Sequence, residues 1–592
     1  MLGQHYRAGE RYCPKHSPPY TSNGNPYMHF PRFGRYLACF LLPLVLASCS
    51  RFWHQPPATP VTVTPPAVNT ELLAQDLVPL AQPGPWPHIT ELIGYGDRLW
   101  FANSVAFENH NSADLYSYTP ATGETRYERH LFSQGAGQPI VADGLLYWPF
   151  EDPRFASHRG EYMVTNGEDW QWHLLSEGEA FHVHAMATDG EALFAGTGAW
   201  AGRLQKSQDS GQSWEVVYEY PTPDRQVSRI TQLAAMEGQL YVGVTALHET
   251  KPKVLRWEQD TLKPITSWPE GKRVDSLTAY NGWLYGINLN PDDTIAVWRT
   301  RGDQSEPVTG LDGYRVRAFA AGEDAFWAVS SDSVNGLLWH SPDGLTWTVA
   351  HEFKAARPLA VAIYAGQLYV GAEGENGQGV LFGPTAPGNV DPPLSKTALS
   401  RQLIPLSAPQ LQQRLAQLDQ ALSAPASYGH GETQAVLAKA LTPLALTGMP
   451  EVGAALSQHL NHAPPQETTT LLGGELSVPV TDVMQWYLLW AIGLNGSGPI
   501  PVELLSTPWA VSSNNPEKYW QPAPAAAWAM AQIGQGNQAT IDALIQRLSF
   551  EGDPIWLKGD WVGALSVLTG ERFGYDEAAW QNWWSHHHKN HP

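Results

Sequence analysis

The sequence predicts a mainly β protein with an α C-terminal domain: a seven-bladed β-propeller followed by α-helical repeats. Three observations predict it: a phrase repeated seven times between residues 88 and 372, its near-constant spacing, and a change to helical periodicity near Leu403. The phrase is an apolar-alternating run, a turn, and then Leu-Tyr or a close variant: Arg98-Leu99-Trp100, Leu145-Leu146-Tyr147, Ala192-Leu193-Phe194, Gln239-Leu240-Tyr241, Trp283-Leu284-Tyr285, Ala325-Phe326-Trp327 and Gln367-Leu368-Tyr369. Counted from the turn (Asp97, Gly144, Glu191, Gly238, Gly282, Asp324, Gly366), successive units lie 47, 47, 47, 44, 42 and 42 residues apart. A period of this length, filled with short strands and turns, is that of a four-stranded blade.

The N-terminal region reads as an address. An apolar run from Tyr36 to Ala47 follows Arg32 and Arg35 and is too short to span a bilayer as a helix. It ends in Leu46-Ala47-Ser48-Cys49, which resembles the lipobox of bacterial lipoproteins. That resemblance implies a signal region over 1–48, with Met28 as a candidate true start, and cleavage before Cys49. It also implies a diacylglycerol joined to Cys49 by a thioether, and so a multiply acylated (palmitate-type) N-terminal anchor. Ser50 after the cysteine, where Asp would retain the protein at the inner membrane, implies the outer membrane of a bacterial envelope. Of Cys13, Cys39 and Cys49 only the last survives such processing, so no disulfide is expected. Residues 49–71, with Pro56-Pro57 and Pro65-Pro66, read as a Pro/Thr tether that leaves the protein anchored on the membrane without spanning it.

Residues 72–385 form the propeller. In the third unit, period-2 alternation gives strands at His182–Thr188, Leu193–Gly196, Arg203–Ser207 and Trp214–Tyr220. The seventh unit reaches Pro384 before a fourth strand, so Leu77–Leu80 is expected to supply it and close the ring. Ser207-Gln208-Asp209-Ser210-Gly211-Gln212-Ser213-Trp214 and Ser341-Pro342-Asp343-Gly344-Leu345-Thr346-Trp347 resemble the Asp-box, or bacterial-neuraminidase repeat, and Thr165–Trp170 resembles a decayed copy. The motif marks propellers; its polar side chains close a hairpin turn and say little about catalysis.

Residues 386–402 read as a linker and 403–592 as helices. Leu411, Leu415, Leu418 and Leu422 follow a Ser407-x-x-Gln410 start. Ile541, Leu544, Ile545 and Leu548, and then Leu557, Trp561, Ala564, Leu565 and Leu568, repeat the spacing. Paired helices with glycine-rich breaks look like HEAT-type repeats, and Leu568–Asp576 with Trp580 and Trp583 is similar to the closing segment of bacterial HEAT-repeat proteins. Such repeats imply a surface for a partner protein.

Nine residues before the turns stand His88, Gly135, His182, Arg229, Arg273, Arg315 and Arg357, a cationic register in a chain of net charge −21. Apolar neighbours (Ile89, Val183, Ile230, Val274, Val316) put these side chains on the face away from the blade core, and Thr90, His184, Thr231, Asp275 and Arg317 form a second polar tier. Guanidinium forks suit carboxylate, phosphate or sulfate. The candidate ligand-binding residues are therefore His88, His182, His184, Arg229, Arg273, Arg315, Arg317 and Arg357, with inter-blade salt bridging as the structural counterpart. The acidic balance excludes nucleic acid as a partner.

The loops on the same face carry Glu108, Glu151, Asp152, Glu249, Asp292, Asp293, Asp332, Glu373 and Glu375. A carboxylate pair at working distance would support glycosidic hydrolysis, and Asp292-Asp293 is a candidate calcium ligand pair. His182-Val183-His184 lacks the further ligands of a metal site, and the terminal His586–His588 with His591 reads as a polar tail. Asp-box proteins include sialidases, but the mature chain has no Phe-Arg-Ile-Pro motif, only Ser228-Arg229-Ile230-Thr231, and no catalytic residue is assigned. Three readings stand: a lipid-anchored protein binding an anionic small molecule or glycan, a glycoside hydrolase or lyase acting on acidic sugars at the same face, and a scaffold without a small ligand.

Overall fold

The computed structural model describes residues 68–73, 76–105, 112–153, 159–175, 180, 182–224, 226–331, 335–385, 388, 397–424, 432–461, 468–471, 476–507 and 521–590. The chain divides into two units, residues 1–41 and 42–592, and the first lies wholly outside the described residues, as do Cys49, Glu108 and Asp332. Among the described residues no helix is long and apolar enough to cross a membrane.

Each repeat unit is an antiparallel meander. Unit 1 runs His88–Tyr95, Arg98–Ser104, Ala113–Thr119 and Glu124–His130, paired in that order. The inner strands of the later units are Ser133–Ala136 with Ile140–Ala142, then His182–Thr188, Arg229–Met236, Arg273–Tyr280, Val316–Ala321 and Arg357–Tyr364. Inner strands of successive units adjoin, and the last adjoins the first. The fold is a β-propeller. Closure is completed from the N-terminus, where Val78–Ala81 pairs antiparallel with Gly379–Gly383, Val78 opposite Gly383. The closing strand is thus the expected one, displaced by a residue. Equivalent tyrosines at the ends of inner strands bolt unit to unit: the Tyr95 hydroxyl donates to Gly144 O at 2.8 Å, Tyr280 to Pro342 O at 2.9 Å, and Tyr364 to Gly96 O at 2.8 Å across the closure.

The Ser/Asp turns form as their chemistry requires. Ser207 Oγ accepts from Gly211 N at 2.9 Å, and Asp209 Oδ1 accepts from Ser213 N at 2.8 Å. At the second turn Asp343 accepts from Leu345 N and Thr346 N at 2.8 and 2.7 Å. Those hydrogen bonds, outweighing a burial effect of opposite sign, hold its carboxyl at about 2.

Eight α-helices follow among the described residues: α1 (Ala408–Ser423), α2 (Glu432–Ala445), α3 (Pro450–His459), α4 (Val480–Asn495), α5 (Pro522–Ile533), α6 (Gln538–Leu548), α7 (Ile555–Thr569) and α8 (Glu577–Asn590). Gln410 accepts from the Ser407 N–H at 2.9 Å at the start of α1, as its capping sequence predicts. Helices α4 and α5 are apolar all round and buried along nearly their whole length, so they are the centre of this region.

Three boundaries differ from expectation. The end of the tether is structured: Thr70–Leu72 forms a short 3-10 turn beside unit 6, and Asn69 N donates to Val349 O at 2.8 Å. The described end of the linker is a strap: Gln402 is buried, accepts from Leu174 N at 2.9 Å, and donates to Leu174 O and Gln212 O. The propeller and helices also share one core, a single cluster of buried side chains running from Trp100, Phe101 and Trp148 to Leu418, Trp486, Trp528 and Trp561. Trp528 of α5 meets Phe132 and Trp172 edge-on, with ring centroids 6.4 and 5.2 Å apart.

Polar contacts cross the same boundary. Glu128, fully buried in the outer strand of unit 1, accepts from Arg98, Arg126 and Ser117 of its own sheet and from Arg572 Nη1 at 2.6 Å. Asp114 accepts from Trp86 Nε1 at 2.7 Å and from the Tyr575 hydroxyl at 2.8 Å. The segment resembling a repeat-closing sequence therefore docks the helices on unit 1 through Arg572 and Tyr575.

Candidate functional site

Inner strands surround a cavity of about 440 Å³. Its shape follows from one irregularity that recurs. In His182–Thr188 the register slips between Val183 and Ala185, in Arg229–Met236 between Ile230 and Gln232, in Val316–Ala321 between Val316 and Ala318, and in Arg357–Tyr364 between Pro358 and Ala360. Units 1 and 5 slip at Thr90/Ile93 and Asp275/Thr278. Each slip inserts one extra residue, a β-bulge, which re-aims side chains next to it. The second polar tier sits on or beside these bulges, and the bulged segments line the cavity.

In unit 2 the interruption is larger. The chain leaves the ladder after Ala136 and returns at Ile140. Between them Gln138 N donates to His184 O at 2.8 Å, and Met186 N donates to Gln138 O at 3.0 Å. Its side-chain Nε2 reaches Leu233 O in unit 4 at 3.0 Å. Gly137 is required here, because a Cβ would stand 2.5 Å from His184 O. Gln138 thus ties three consecutive units together at the cavity wall.

The eight candidate ligand-binding residues, drawn from the register and the second tier, do not all line the cavity. His184, Arg229, Arg273, Arg315 and Arg317 line the cavity; His88, His182 and Arg357 are outside that lining among the described residues. Arg357 pairs with Glu373 across its own sheet, and His88 of the first unit lies 3.2 Å from the same carboxylate, so one acid answers both residues at the closure. Arg273 Nε lies 2.8 Å from Asp275, two residues on in its own strand. His182 and His184 stack with centroids 5.1 Å apart, and burial, joined by the charge of Arg229, pushes both well below the ordinary imidazole value. Both rings are neutral at pH 7.

Arg315 and Arg317 remain. Among the described residues neither has an ion pair; Arg317 Nε donates to Ser331 Oγ at 3.0 Å, and Arg315 Nε is buried without a hydrogen-bond partner. Burial, then the charges of Arg315 and Arg357, lowers Arg317 to about 9, and burial with Arg273 and Arg357 lowers Arg315. Both stay protonated at neutral pH, so this wall concentrates like charge in a partly dry site.

The loop carboxylates are mostly occupied. Glu249 binds Lys251 and Lys253 at 2.6 and 2.9 Å and is held at about 2, hydrogen bonds from Lys251, Tyr220 and Lys253 outweighing burial. Asp293 pairs with Lys272 at 2.7 Å, and Asp292 accepts from Thr294. Among the described residues no group of three or more His, Cys, Asp or Glu side chains is placed to hold a metal ion. Glu151 lies 3.9 Å from His184 at the cavity.

One acid went unnoticed in the sequence. Glu91, on the bulge of unit 1, lines the cavity with a left-handed backbone (φ 53°). Burial, with the neighbouring charge of Glu151, pushes its carboxyl up to about 7. Ser276, on the corresponding bulge of unit 5, has the same backbone (φ 53°), so the bulge sets the conformation and aims Glu91 at the cavity.

No family model matches the chain, and no curated protein matches it. Among solved structures it is similar to YCF48 from Cyanidioschyzon merolae (12% identity, TM-score 0.37, covering 52% of this chain and 98% of that one). It is similar also to the β-propeller domain of the Trilobed protease from Pyrococcus furiosus (9%, 0.37, 51% and 96%) and to the Pan2 WD40 domain of Neurospora crassa (13%, 0.37, 54% and 98%). At these TM-scores we draw nothing further from the likenesses.

Proposed function

We propose that the chain is a binding and scaffold protein of the bacterial envelope, its seven-bladed propeller taking an anionic small molecule or glycan in the central cavity. In this reading a lipid on Cys49 holds it to the outer membrane, and the HEAT-like helices offer their remaining outer surface to a partner protein. Arg315 carries the proposal: a guanidinium with its Nε buried, beside Arg317 and without an ion pair among the described residues, in a cavity wall. A structural arginine is normally answered by a carboxylate, as Arg357 is by Glu373.

The test is a double substitution, Arg315→Ala with Arg317→Ala, titrated calorimetrically with phosphate, uronic acids and sialic acid beside a thermal melt. Charge-assisted hydrogen bonds of about 1.5–3 kcal/mol each predict roughly a hundredfold loss of affinity or more with folding kept. A stable double variant that binds as tightly as the natural chain would remove the anion site. The anchor is tested separately: Cys49→Ala should leave an unprocessed, unlipidated precursor, and normal processing would overturn it.

A second reading, an enzyme on acidic glycans, is favoured by the pairing of a raised Glu91 with Glu151, the charge asymmetry that an acid and its partner carboxylate need. Turnover of a uronide that Glu91→Gln abolishes would support it over simple binding.

A further inference from the structure

Three ionisable groups in the cavity wall show no ion pair among the described residues: the guanidinium groups of Arg315 and Arg317 and the carboxyl of Glu91. They do not compensate each other. The charges that act on Arg315 are those of Arg273 and Arg357, and the charge that acts on Glu91 is that of Glu151. The cavity is divided accordingly. Arg273, Arg315 and Arg317 come from units 5 and 6, while Glu91 and Glu151 come from units 1 and 2. Unit 7 separates the two pairs on one side, and units 3 and 4, the latter bringing Arg229, on the other. Among the described lining residues Asp275 is the one carboxylate from units 5 and 6, and Arg273 holds it.

A half-buried carboxyl with a second carboxyl near it, on left-handed backbone, is costly unless a cation reaches it. We propose that the cavity takes an organic zwitterion, with its oxyanion on Arg315 and Arg317 and a primary ammonium between Glu91 and Glu151. The inference rests on the anion site proposed above and adds the opposite pole. The oxyanion is a carboxylate or a phosphate, which the same guanidinium pair recognises. A volume of about 440 Å³ suits a small molecule and not a polymer. Because Glu91 is only partly ionised near pH 7, an ammonium beside it draws off its proton, which passes to solvent.

The experiment titrates the full chain at pH 7 with 6-aminohexanoate against hexanoate, and with O-phosphoethanolamine against ethyl phosphate, each in two buffers of different ionisation heat. Each amino probe is expected to bind about tenfold or more tighter than its deaminated counterpart, with a buffer-dependent heat that the counterpart lacks. The pair with the larger gap identifies the oxyanion. Glu91→Gln should level each pair and remove the buffer dependence, and Arg315→Ala should weaken all four probes. Equal binding of both members of each pair, still lost in Arg315→Ala, overturns the zwitterion and leaves the anion site standing. An amino preference undiminished in Glu91→Gln overturns the role of Glu91. No binding of any probe overturns both proposals.

Discussion

His130, at the end of the outer strand of unit 1, lies with Nε2 3.2 Å from Asp560 of α7, and both side chains are fully buried. Its other ring nitrogen lies 2.8 Å from Asp114, so one imidazole bridges a propeller carboxylate and a helical one. Burial opposes a charge on this ring, but hydrogen bonds and charges from Asp114 and Asp560 outweigh it, and the pKa is raised. A histidine with a raised folded-state pKa contributes stability that is complete below its unfolded value, about 6.5, and is lost as pH rises through the folded value.

Replacing His130 by Asn should therefore cost most at low pH. At pH 6 a loss of about 3–5 kcal/mol is expected, since one partner of a buried charged pair is removed. Thermal melts from pH 5.5 to 9 should show the natural chain and the variant converging as pH rises. A gap that is constant across that range would mean the ring is neutral throughout.

The shared core makes the propeller dependent on the helices. A chain ending at residue 385 would bare Phe132, Trp172 and His130 and leave Glu128 without Arg572. Such a truncation should melt well below the full chain and bind a hydrophobic dye, contrary to what the repeat boundaries alone suggest. Identical melting of the two would show that the interface adds no stability.

Deleting Leu72–Ala81 removes the strand that closes unit 7 and takes buried Leu77 out of its core cluster. Loss of Leu77 alone is worth about 1.5–3 kcal/mol, and Gly379–Gly383 becomes an open edge. Lower melting and self-association on gel filtration are the expected result; a monomer of unchanged stability would place the closure elsewhere.

Glu91 works in the opposite sense to an ordinary salt-bridged acid. Its folded-state value of about 7 lies above the ordinary glutamate value of 4.5, so folding is penalised as pH rises from the lower value to the higher. Glu91→Gln should be nearly neutral at pH 4 and stabilise the protein by roughly 1–3 kcal/mol at pH 8. Urea titrations at the two pH values measure this, and an equal effect at both would dismiss the buried, perturbed carboxyl.

The repeat was legible because it differs from its surroundings, and the turns, strand ranges and closing strand followed from it. The bulges were not, because nearly every inner strand carries its extra residue at the same depth. A feature common to the units leaves their spacing unchanged, so strict alternation was read where the register slips. Glu91 gives no signal for the same reason: it sits on a bulge at the cavity that leaves the spacing of the repeat unchanged. The cationic register was legible as a list but not as a site. That Arg357 meets Glu373, while Arg315 meets no carboxylate among the described residues, depends on how each return loop sits at the rim, which the spacing of the repeat does not hold. Between 424 and 520 the sequence sets no repeat boundary, because α4 is apolar on nearly every side and offers no period. Gln138 gave no signal, its role being set by a backbone that leaves its own sheet.

The pairings of unit 1 also fix an order of events. Its inner strand waits for unit 7, and its outer strand waits for α7 and the segment after it; Tyr575 and Asp114 are 461 residues apart in the chain. The first blade in the chain is thus the last one completed. Until α7 and the segment after it dock, Asp114, Glu128 and His130 lack their helical partners. Slow acquisition of native fluorescence, limited by that docking and not by local strand formation, is the expected kinetic signature of the topology.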